Sequence, residues 1–302
     1  MKYGMPYKGS KNKLAGKIFE LFPRKKNFYD LFCGGCAMTH YGLLHGGFEN
    51  FYMNDINPAC SELFMDAVHG KFKDEKRWIS REDFERLKDI EPYVAFCWSF
   101  GNNLRDYIYG KDREEIKRAW HYAIFFDDFE PFKKFNVDMS PIKGIKNRYE
   151  KYLTSKKILA NCRLEASRSE NFERLQTLER LQSLESLERL ERLRITVGSY
   201  DQVEILPDSV IYCDIPYEGT DGYLTEFDFE KFYSWCEKQT EPLFISSYKM
   251  PADRFVCVAM FKHRCTLSTT ENVEVTEKVF IPKHQEKEYH LPGSLFNFDE
   301  LM

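Results

Sequence analysis

The feature that most constrains the fold of this chain is a run of strand-forming residues that ends in an acid and a turn. Residues 209–213 favour a buried strand, and Asp214, Ile215, Pro216 and Tyr217 follow. In open α/β sheets ligands bind at the carboxyl ends of the strands, where this carboxylate is expected to lie. The acid and the Ile215 carbonyl can accept two hydrogen bonds from an amine, and Tyr217 can stack on the ring that carries it. Taken alone, the four residues are more typical of an ordinary turn at a strand end than of such a site.

A second predicted strand, residues 27–32, ends in a loop that contains Gly34 and Gly35 and leads into a predicted helix. Glycines at that point let the backbone approach a ligand closely, and a helix N-terminus favours polar or anionic groups. The three-glycine spacing of the dinucleotide fingerprint is absent, which disfavours a dinucleotide oxidoreductase. Residues 50–53 predict another strand, and Asp55 beyond it can accept hydrogen bonds from a ribose diol. These features together predict a site for a nucleoside-bearing cofactor.

Taken in order, these motifs resemble those of the Dam-like adenine-N(6) DNA methyltransferases. The matching segments are residues 7–11, 30–35, 55, 198–200, 214–217, 246–248 and 276–278. The resemblance covers residues 3–66 and 195–283, so the middle of the chain lies outside it. The chain departs from the family pattern at Ile215, where the family has proline, at Cys36, where it has glycine, and at Ser199, where an acid is common.

The resemblance implies an enzyme that moves the methyl group of S-adenosyl-L-methionine to the N(6) amine of adenine in double-stranded DNA, without a metal. It assigns catalysis to Asp214, Ile215, Pro216 and Tyr217. The residues that it assigns to cofactor binding are Tyr7, Lys11, Asp30, Phe32, Gly34, Gly35, Asp55 and Asp214. Among these, it places Tyr7 and Lys11 at the methionine end of the cofactor and Asp55 at the ribose. The family offers GATC as a first guess for the recognition sequence.

Alternating strand and helix patterns predict an α/β fold, with a Rossmann-like, mostly parallel sheet and an antiparallel C-terminal hairpin. Residues 1–65 and 195–302 are expected to form the catalytic, cofactor-binding domain. Residues 66–194 are expected to form an inserted helical domain, which the resemblance identifies with target recognition. Ser80 begins a capping pattern in this insert. Most of the aromatic residues at 93–126 are expected to form its core.

Net charge is −4, so any affinity for DNA must come from the distribution of charge. The insert has a basic stretch that includes Lys143, Lys146 and Arg148, and these side chains are candidates for phosphate contacts. A solvated helical face explains the same stretch equally well. Asn102 and Asn103 can hydrogen-bond adenine edges, or they can simply belong to a loop.

A segment near residues 172–194 repeats leucine every third position. The leucines are Leu175, Leu178, Leu181, Leu184, Leu187, Leu190 and Leu193. The intervening residues favour a long helix. A period of three drifts by about 60° per step around an α-helix, so no single apolar face is expected over the whole segment and a heptad coiled coil is disfavoured.

Composition fits a protein of the cytoplasm, expected here to be bacterial or phage-encoded, to act on nucleoid DNA and to be a monomer or a weak dimer. No apolar run reaches membrane-spanning length. The nine cysteines show no disulfide-framework spacing, which favours reduced thiols. Cys33 and Cys36 do have C-x-x-C spacing, but the zinc or redox interpretation lacks a second ligand pair or a thioredoxin-like context.

Two other function classes remain open at this point. RNA and protein-glutamine methyltransferases use the same cofactor half, although those families more often have Asn in place of Asp214. A DNA-binding module that has lost catalysis would keep the basic segments, but Asp214, Pro216, Tyr217 and Asp55 are all intact. The sequence does not distinguish a restriction–modification enzyme from a phage or host regulatory one.

Overall fold

The structure is a computed structural model that describes residues 3–7, 9–162, 170–184, 187, 190–216, 227–264 and 274–289. The chain divides into two compact units. The sheet unit comprises Met1–Met5, Gly9–Met65 and Ser186–Met302, and the helical unit comprises Pro6–Lys8 and Asp66–Glu185. The leucine-triplet segment is therefore divided between them.

The sheet unit contains a seven-stranded sheet with the order β3-β2-β1-β4-β5-β7-β6. The strands are β1 (Asn27–Asp30), β2 (Asn50–Asp55), β3 (Leu193–Val197), β4 (Ser209–Asp214), β5 (Leu243–Ser247), β6 (Phe255–Arg264) and β7 (Glu274–Pro282). The first five strands pair in parallel, whereas β7 is antiparallel to both β5 and β6. The predicted α/β class, with a parallel sheet and an antiparallel C-terminal hairpin, is confirmed.

The ten α-helices of the described residues surround the sheet or build the helical unit. In chain order they are α1 (Ala15–Phe19), α2 (Ala37–His45), α3 (Pro58–Val68), α4 (Arg81–Leu87), α5 (Pro92–Cys97), α6 (Glu114–Phe126), α7 (Arg148–Asn161), α8 (Glu170–Ser183), α9 (Phe229–Cys236) and α10 (Glu286–Tyr289). Helices α4 to α8 lie in the helical unit. None of the helices in the described ranges is long and apolar enough to cross a bilayer.

The sheet is buried where its central strands are apolar. Every residue of β1 is buried, as are the first five of β4, which is the pattern expected for parallel strands covered on both faces. On one side Tyr29 and Ile211 pack with Phe232 of α9 in a single hydrophobic cluster. Helix α9 begins at the cap residue Asp228, whose carboxylate accepts a hydrogen bond from the Lys231 N–H.

The helical unit has its own core. Trp120 of α6 stacks on Tyr152 of α7 with ring centroids 5.0 Å apart, and Phe132 packs into the same cluster. The predicted cap at Ser80 is present, because its hydroxyl accepts a hydrogen bond from the Asp83 N–H at 3.1 Å. Most of the aromatics expected in this core are buried or half-buried, but Phe100 and Phe126 are 57% and 51% exposed.

In the described part of the leucine-triplet segment the conformation changes along the chain. Helix α8 ends at Ser183, a 3₁₀ turn spans Leu190–Arg192, and β3 begins at Leu193. The leucines at 175, 178, 181, 184, 187 and 193 are all buried. Six of the seven triplet leucines are therefore buried, and Leu190 is half-buried. Within α8 three successive leucines drift by only about 120°, which one apolar stripe accommodates. The conformation then changes before the drift accumulates.

Candidate active site

Three carboxylates lie at the carboxyl ends of three neighbouring strands. Asp30 ends β1, Asp55 ends β2 and Asp214 ends β4. Because β1 lies between the other two strands, and Asp30 is in register with Met53 and Tyr212, these ends meet at one edge of the sheet. This is the edge where parallel sheets bind ligands.

Backbone donors hold the Asp55 carboxylate. Its Oδ2 accepts a hydrogen bond from the Gly34 N–H at 2.8 Å, and its Oδ1 accepts one from the Asn57 N–H at 2.9 Å. Burial raises the pKa of Asp55, and these two bonds partly offset that effect. Each carboxylate oxygen can accept more than one hydrogen bond, so the fixed carboxylate keeps capacity for hydroxyl donors.

The loop between β1 and α2 uses two left-handed backbone conformations. Gly34 has φ of 45°, and Cys36, at the position where the family has glycine, has φ of 55°. A side chain at a positive φ costs free energy that glycine avoids. The buried thiols of Cys33 and Cys36 lie with sulfur atoms 3.5 Å apart. Burial raises the pKa of the Cys36 thiol. The pKa of the Cys33 thiol is also raised, chiefly by its hydrogen bond with Cys36.

The N-terminal segment packs directly on this loop. The Met5 N–H donates a hydrogen bond to the Gly35 carbonyl at 2.6 Å, and the Gly4 N–H donates to His40 Nδ1 at 2.8 Å. Gly4 has φ of 65°, and a Cβ at this position would lie 2.2 Å from the Gly35 oxygen. Only glycine fits there. The sequence analysis did not identify Gly4, since nothing local in the sequence indicates that the two segments touch.

Asp30 is the most deeply buried of the three acids. Its Oδ2 accepts hydrogen bonds from the Thr39 N–H at 3.2 Å and from the Thr39 hydroxyl at 2.8 Å, which ties β1 to the first turn of α2. Burial raises the pKa of Asp30 to about 7; Thr39 opposes the shift, and the charges of Asp214 and Asp55 add to it. Phe32, beyond the strand, stacks on Tyr200 with ring centroids 5.3 Å apart.

A lysine side chain holds Asp214. Lys11 Nζ donates to Oδ1 at 2.7 Å and to Oδ2 at 2.9 Å, and it also donates to the Gly9 carbonyl at 3.2 Å. Lys11 is 5% exposed, while the Asp214 side chain remains 21% exposed. Ile215 is buried and Pro216 is half-buried. Burial raises the pKa of Asp214, and Lys11 offsets only part of that shift.

A second carboxylate approaches the same lysine. Glu277 of β7 places its Oε2 3.8 Å from Lys11 Nζ and is almost completely buried. Burial disfavours the charged lysine, but Asp214 and Glu277 more than compensate, so the pKa of Lys11 is raised. Glu277 belongs to the segment 276–278 that resembles a family motif, but the resemblance assigned it no role. The strand pattern gave no further signal, because β7 also contains Glu274, Thr276 and Lys278.

Ser199, at the position where the family commonly has an acid, contacts one instead. Its hydroxyl donates a short hydrogen bond to the Asp201 carboxylate, and Asp201 also forms an ion pair with Lys231 at 2.7 Å. The pKa of Asp201 is lowered, chiefly by the hydrogen bond from Lys231. Residue 199 itself therefore has no carboxylate here, but its hydroxyl is bonded to one.

The candidate DNA-binding residues in the helical unit have different environments. Asn102 donates its amide to the Phe96 carbonyl at 2.7 Å, and Asn103 donates to the Asp106 carboxylate at 2.8 Å, so both amides stabilise their own loop. Lys143 and Lys146 are exposed. Arg148 instead donates to Gln182 at 3.1 Å and lies over the Phe125 ring.

The predicted roles of two further residues, Tyr7 and Tyr217, are not tested by the structure. Tyr7 belongs to the helical unit, where its ring lies 5.8 Å from that of Phe96. Tyr217 lies outside the described residues. The assignments of both to the site stay predictions. Across the described ranges, no three His, Cys, Asp or Glu side chains form a group that could hold a metal ion.

Two comparisons with known proteins bear on the family of the chain. A search among curated proteins finds no match to the chain. A family model, by contrast, matches residues 7–241, which include all three strand-end acids and the whole helical unit apart from its first residue. Because this match covers most of the chain, the chain belongs to the family of D12 class N6 adenine-specific DNA methyltransferases.

Proposed function

We propose that the protein transfers a methyl group from S-adenosyl-L-methionine to the N(6) amine of adenine in double-stranded DNA. The observation that carries the proposal is the Asp214 carboxylate at the end of β4, which is partly exposed and is followed by the buried Ile215 and a proline. We also propose that the enzyme acts on nucleoid DNA in a bacterial cytoplasm, in a restriction–modification, phage or host regulatory role.

The chemistry of the residues near β1 and β2 fits the cofactor. Asp55 is held by the N–H groups of Gly34 and Asn57, and it retains acceptor capacity for the two hydroxyls of a ribose. Gly34 keeps the loop free of a side chain, so the backbone is accessible to a ligand. We assign Gly35, Asp30 and Phe32 to the same cofactor site, and Tyr7 and Lys11 to the methionine end.

Asp214 and Ile215 would activate the amine. The lone pair of an adenine amine is delocalised into the ring, so the nitrogen is a poor nucleophile. Hydrogen bonds from its two N–H groups to the Asp214 carboxylate and the Ile215 carbonyl favour a tetrahedral nitrogen with a localised lone pair. When bound, S-adenosyl-L-methionine supplies an electrophilic methyl group whose carbon–sulfur bond breaks as the carbon–nitrogen bond forms. Asp214 is then placed to accept the proton that the nitrogen loses.

Recognition of the target falls to the helical unit in this proposal. Lys143 and Lys146 are exposed and available to phosphates, while Arg148 contributes only if it leaves Gln182. Asn102 and Asn103 would have to exchange their loop hydrogen bonds for contacts with bases. The target adenine must leave the duplex stack, and we propose that Tyr217 replaces the lost stacking.

The decisive experiment is transfer of a labelled methyl group to duplex DNA, with the modified base identified by mass spectrometry. We expect N(6)-methyladenine, and sequencing of the methylated sites would give the recognition sequence. Label found on cytosine, only on RNA, or on protein would refute the proposal.

Neutralising Lys143 and Lys146 should reduce the salt dependence of DNA affinity and leave cofactor affinity unchanged. Neutralising the exposed Lys287 of α10, in the sheet unit, is the matched control.

A further inference from the structure

Lys11 is shared unequally by two carboxylates at the sheet edge. Its ammonium group lies 2.7 Å from Asp214 and 3.8 Å from Glu277, and Lys11 and Glu277 are both at least 95% buried. We propose that Glu277 is a positioning residue: it takes up Lys11 when Asp214 binds the target amine. This inference rests on the proposed function, because it concerns the acceptor of that amine.

Lys11 both stabilises the Asp214 carboxylate and occupies its acceptor sites. Both oxygens of this carboxylate accept hydrogen bonds from the same ammonium group. A cation held so closely favours the ionised carboxylate, but it also makes that carboxylate a weaker acceptor for another N–H group. An amine that binds Asp214 therefore competes with Lys11. Weakening the Lys11 contact would make Asp214 a better partner for the amine.

Glu277 offers the lysine a second place. Moving Nζ by about 1 Å would bring it within hydrogen-bond distance of the Glu277 carboxylate. The four-carbon stem of lysine permits this movement without a change in the backbone. The bond to the Gly9 carbonyl, at 3.2 Å, can persist during the shift because it comes from the backbone near Lys11 itself.

The position of Glu277 is difficult to explain by folding alone. It lies in the middle of β7, between Thr276 and Lys278, and pairs in register with Phe261 of β6. The sheet requires only its backbone groups, and a valine would satisfy the strand at less cost, because a buried carboxylate is expensive unless it is paired. Lys11 is a cation that such a carboxylate can pair with, and it adjoins the proposed catalytic acid.

The experiment is a double-mutant cycle on single-turnover methyl transfer, with DNA and cofactor both saturating. Glu277→Gln should slow transfer at least tenfold, because Lys11 then stays on Asp214. In the Lys11→Met background the same change should have no further effect, because residue 277 then has no lysine side chain to pair with. Cofactor affinity and thermal unfolding, measured for each variant, report whether the fold is intact.

The pH profile supplies a readout that a purely structural role would not move. Glu277→Gln removes a negative charge near Asp214 and leaves Lys11 bonded to Asp214, so the pKa of Asp214 should fall. The acid limb of the pH–rate profile should therefore shift to lower pH. Glu277→Asp retains the charge and should keep the limb at its wild-type position. Equal slowing in both lysine backgrounds, or a normal rate and limb in Glu277→Gln, would overturn the inference.

Should Glu277→Gln fail to fold, Glu277→Asp carries the test. Its carboxylate is withdrawn by one methylene, so transfer should slow several-fold when Lys11 is present and not at all when Lys11 is replaced by Met. Any slowing that persists without Lys11 would contradict the proposal. If the wild-type protein methylates no adenine, the proposed function itself is refuted. The two failures are distinguishable, because the proposed function is tested on the wild-type protein and the role of Glu277 on the variants.

Discussion

Asp55 and Asp214 occupy equivalent places at the ends of parallel strands, yet they are held in different ways. Two backbone N–H groups fix Asp55, whereas the side chain of Lys11 holds Asp214. Backbone donors stay in place as long as the loop does, but a lysine on a flexible stem can move. A fixed acceptor suits a ligand that is bound unchanged, such as a ribose. A movable partner suits an acid whose hydrogen bonds must change during a reaction.

The largest expected effect is at Asp214. Asp214→Asn should lower methyl transfer by about a thousandfold or more, since the carboxylate charge that activates the amine and the base that accepts its proton are both lost. Saturating cofactor should not restore the rate. The asparagine is preferred to Asp214→Ala because its amide oxygen can still accept a hydrogen bond from Lys11. In Asp214→Ala the buried ammonium group of Lys11 would lose its nearest carboxylate. Single-turnover assays on duplex DNA check this, and a fully active variant would remove Asp214 from the mechanism.

Asp30 extends the comparison to an acid held by a single threonine. Its pKa is raised from 3.8 to about 7, so between those values the folded protein retains a proton that the unfolded chain has lost. The free energy of unfolding should therefore fall as pH rises through this window. Asp30→Asn removes that dependence, and its stability relative to wild type should improve between pH 5 and pH 8, by on the order of 2–4 kcal/mol.

Urea unfolding at the two pH values measures this change. Thr39→Val is a useful companion, because it removes the hydroxyl that bonds Asp30 and keeps the carboxyl group. If wild type and Asp30→Asn had parallel pH profiles, the Asp30 carboxyl would not be the titrating group.

A smaller effect is expected for Asp55. Asp55→Ala removes the proposed ribose acceptor and leaves the hydroxyls unpaired, which should weaken cofactor binding by about 1–3 kcal/mol. Saturating cofactor should restore most of the transfer rate, in contrast to the Asp214 variant. Calorimetry of S-adenosyl-L-methionine binding is the measurement. Unchanged affinity would show that Asp55 does not bind the ribose as proposed.

The smallest effect on catalysis is expected at Ile215. Ile215→Pro keeps the backbone carbonyl and restores the residue that the family has, so the transfer rate should stay within about threefold of wild type. Stability should fall slightly, because the buried isoleucine packs in the core beside Tyr29 and Ile211. A large loss of transfer without loss of stability would mean that the side chain, and not the carbonyl, is used.

The sequence predicts well those features that a short segment determines. Asp55 and Asp214 each follow a run of strand formers, so their places at strand ends can be deduced one strand at a time. Asp30 was expected inside a strand that spans residues 27–32, whereas β1 ends at Asp30. The match of Lys11 to a family segment likewise needed only local residues. Its partner could not be deduced in this way, because the ion pair with Asp214 depends on which parts of the chain the fold brings together.

The leucine triplets show a different limit of sequence analysis. A fixed angular drift argues against one apolar face, but that argument assumes that the helix continues. The chain ends α8 at Ser183 and enters β3 at Leu193, and this change of conformation keeps the leucines buried. Asn102 and Asn103 illustrate a third limit. An amide that the sequence suggests for base binding can instead form hydrogen bonds within its own loop.

The order of strands in the sheet has a consequence for how the protein is made. The central pair, β1 and β4, joins Asn27 to Ser209, and the whole helical unit apart from its first few residues is encoded between them. During synthesis β1 is therefore made long before β4, its second neighbour in the sheet, leaves the ribosome. Pairing over so long a separation is slow to form, whereas the helical unit can assemble from nearby segments. We expect the helical unit to fold first on the ribosome, with the methyl-transfer site completed last.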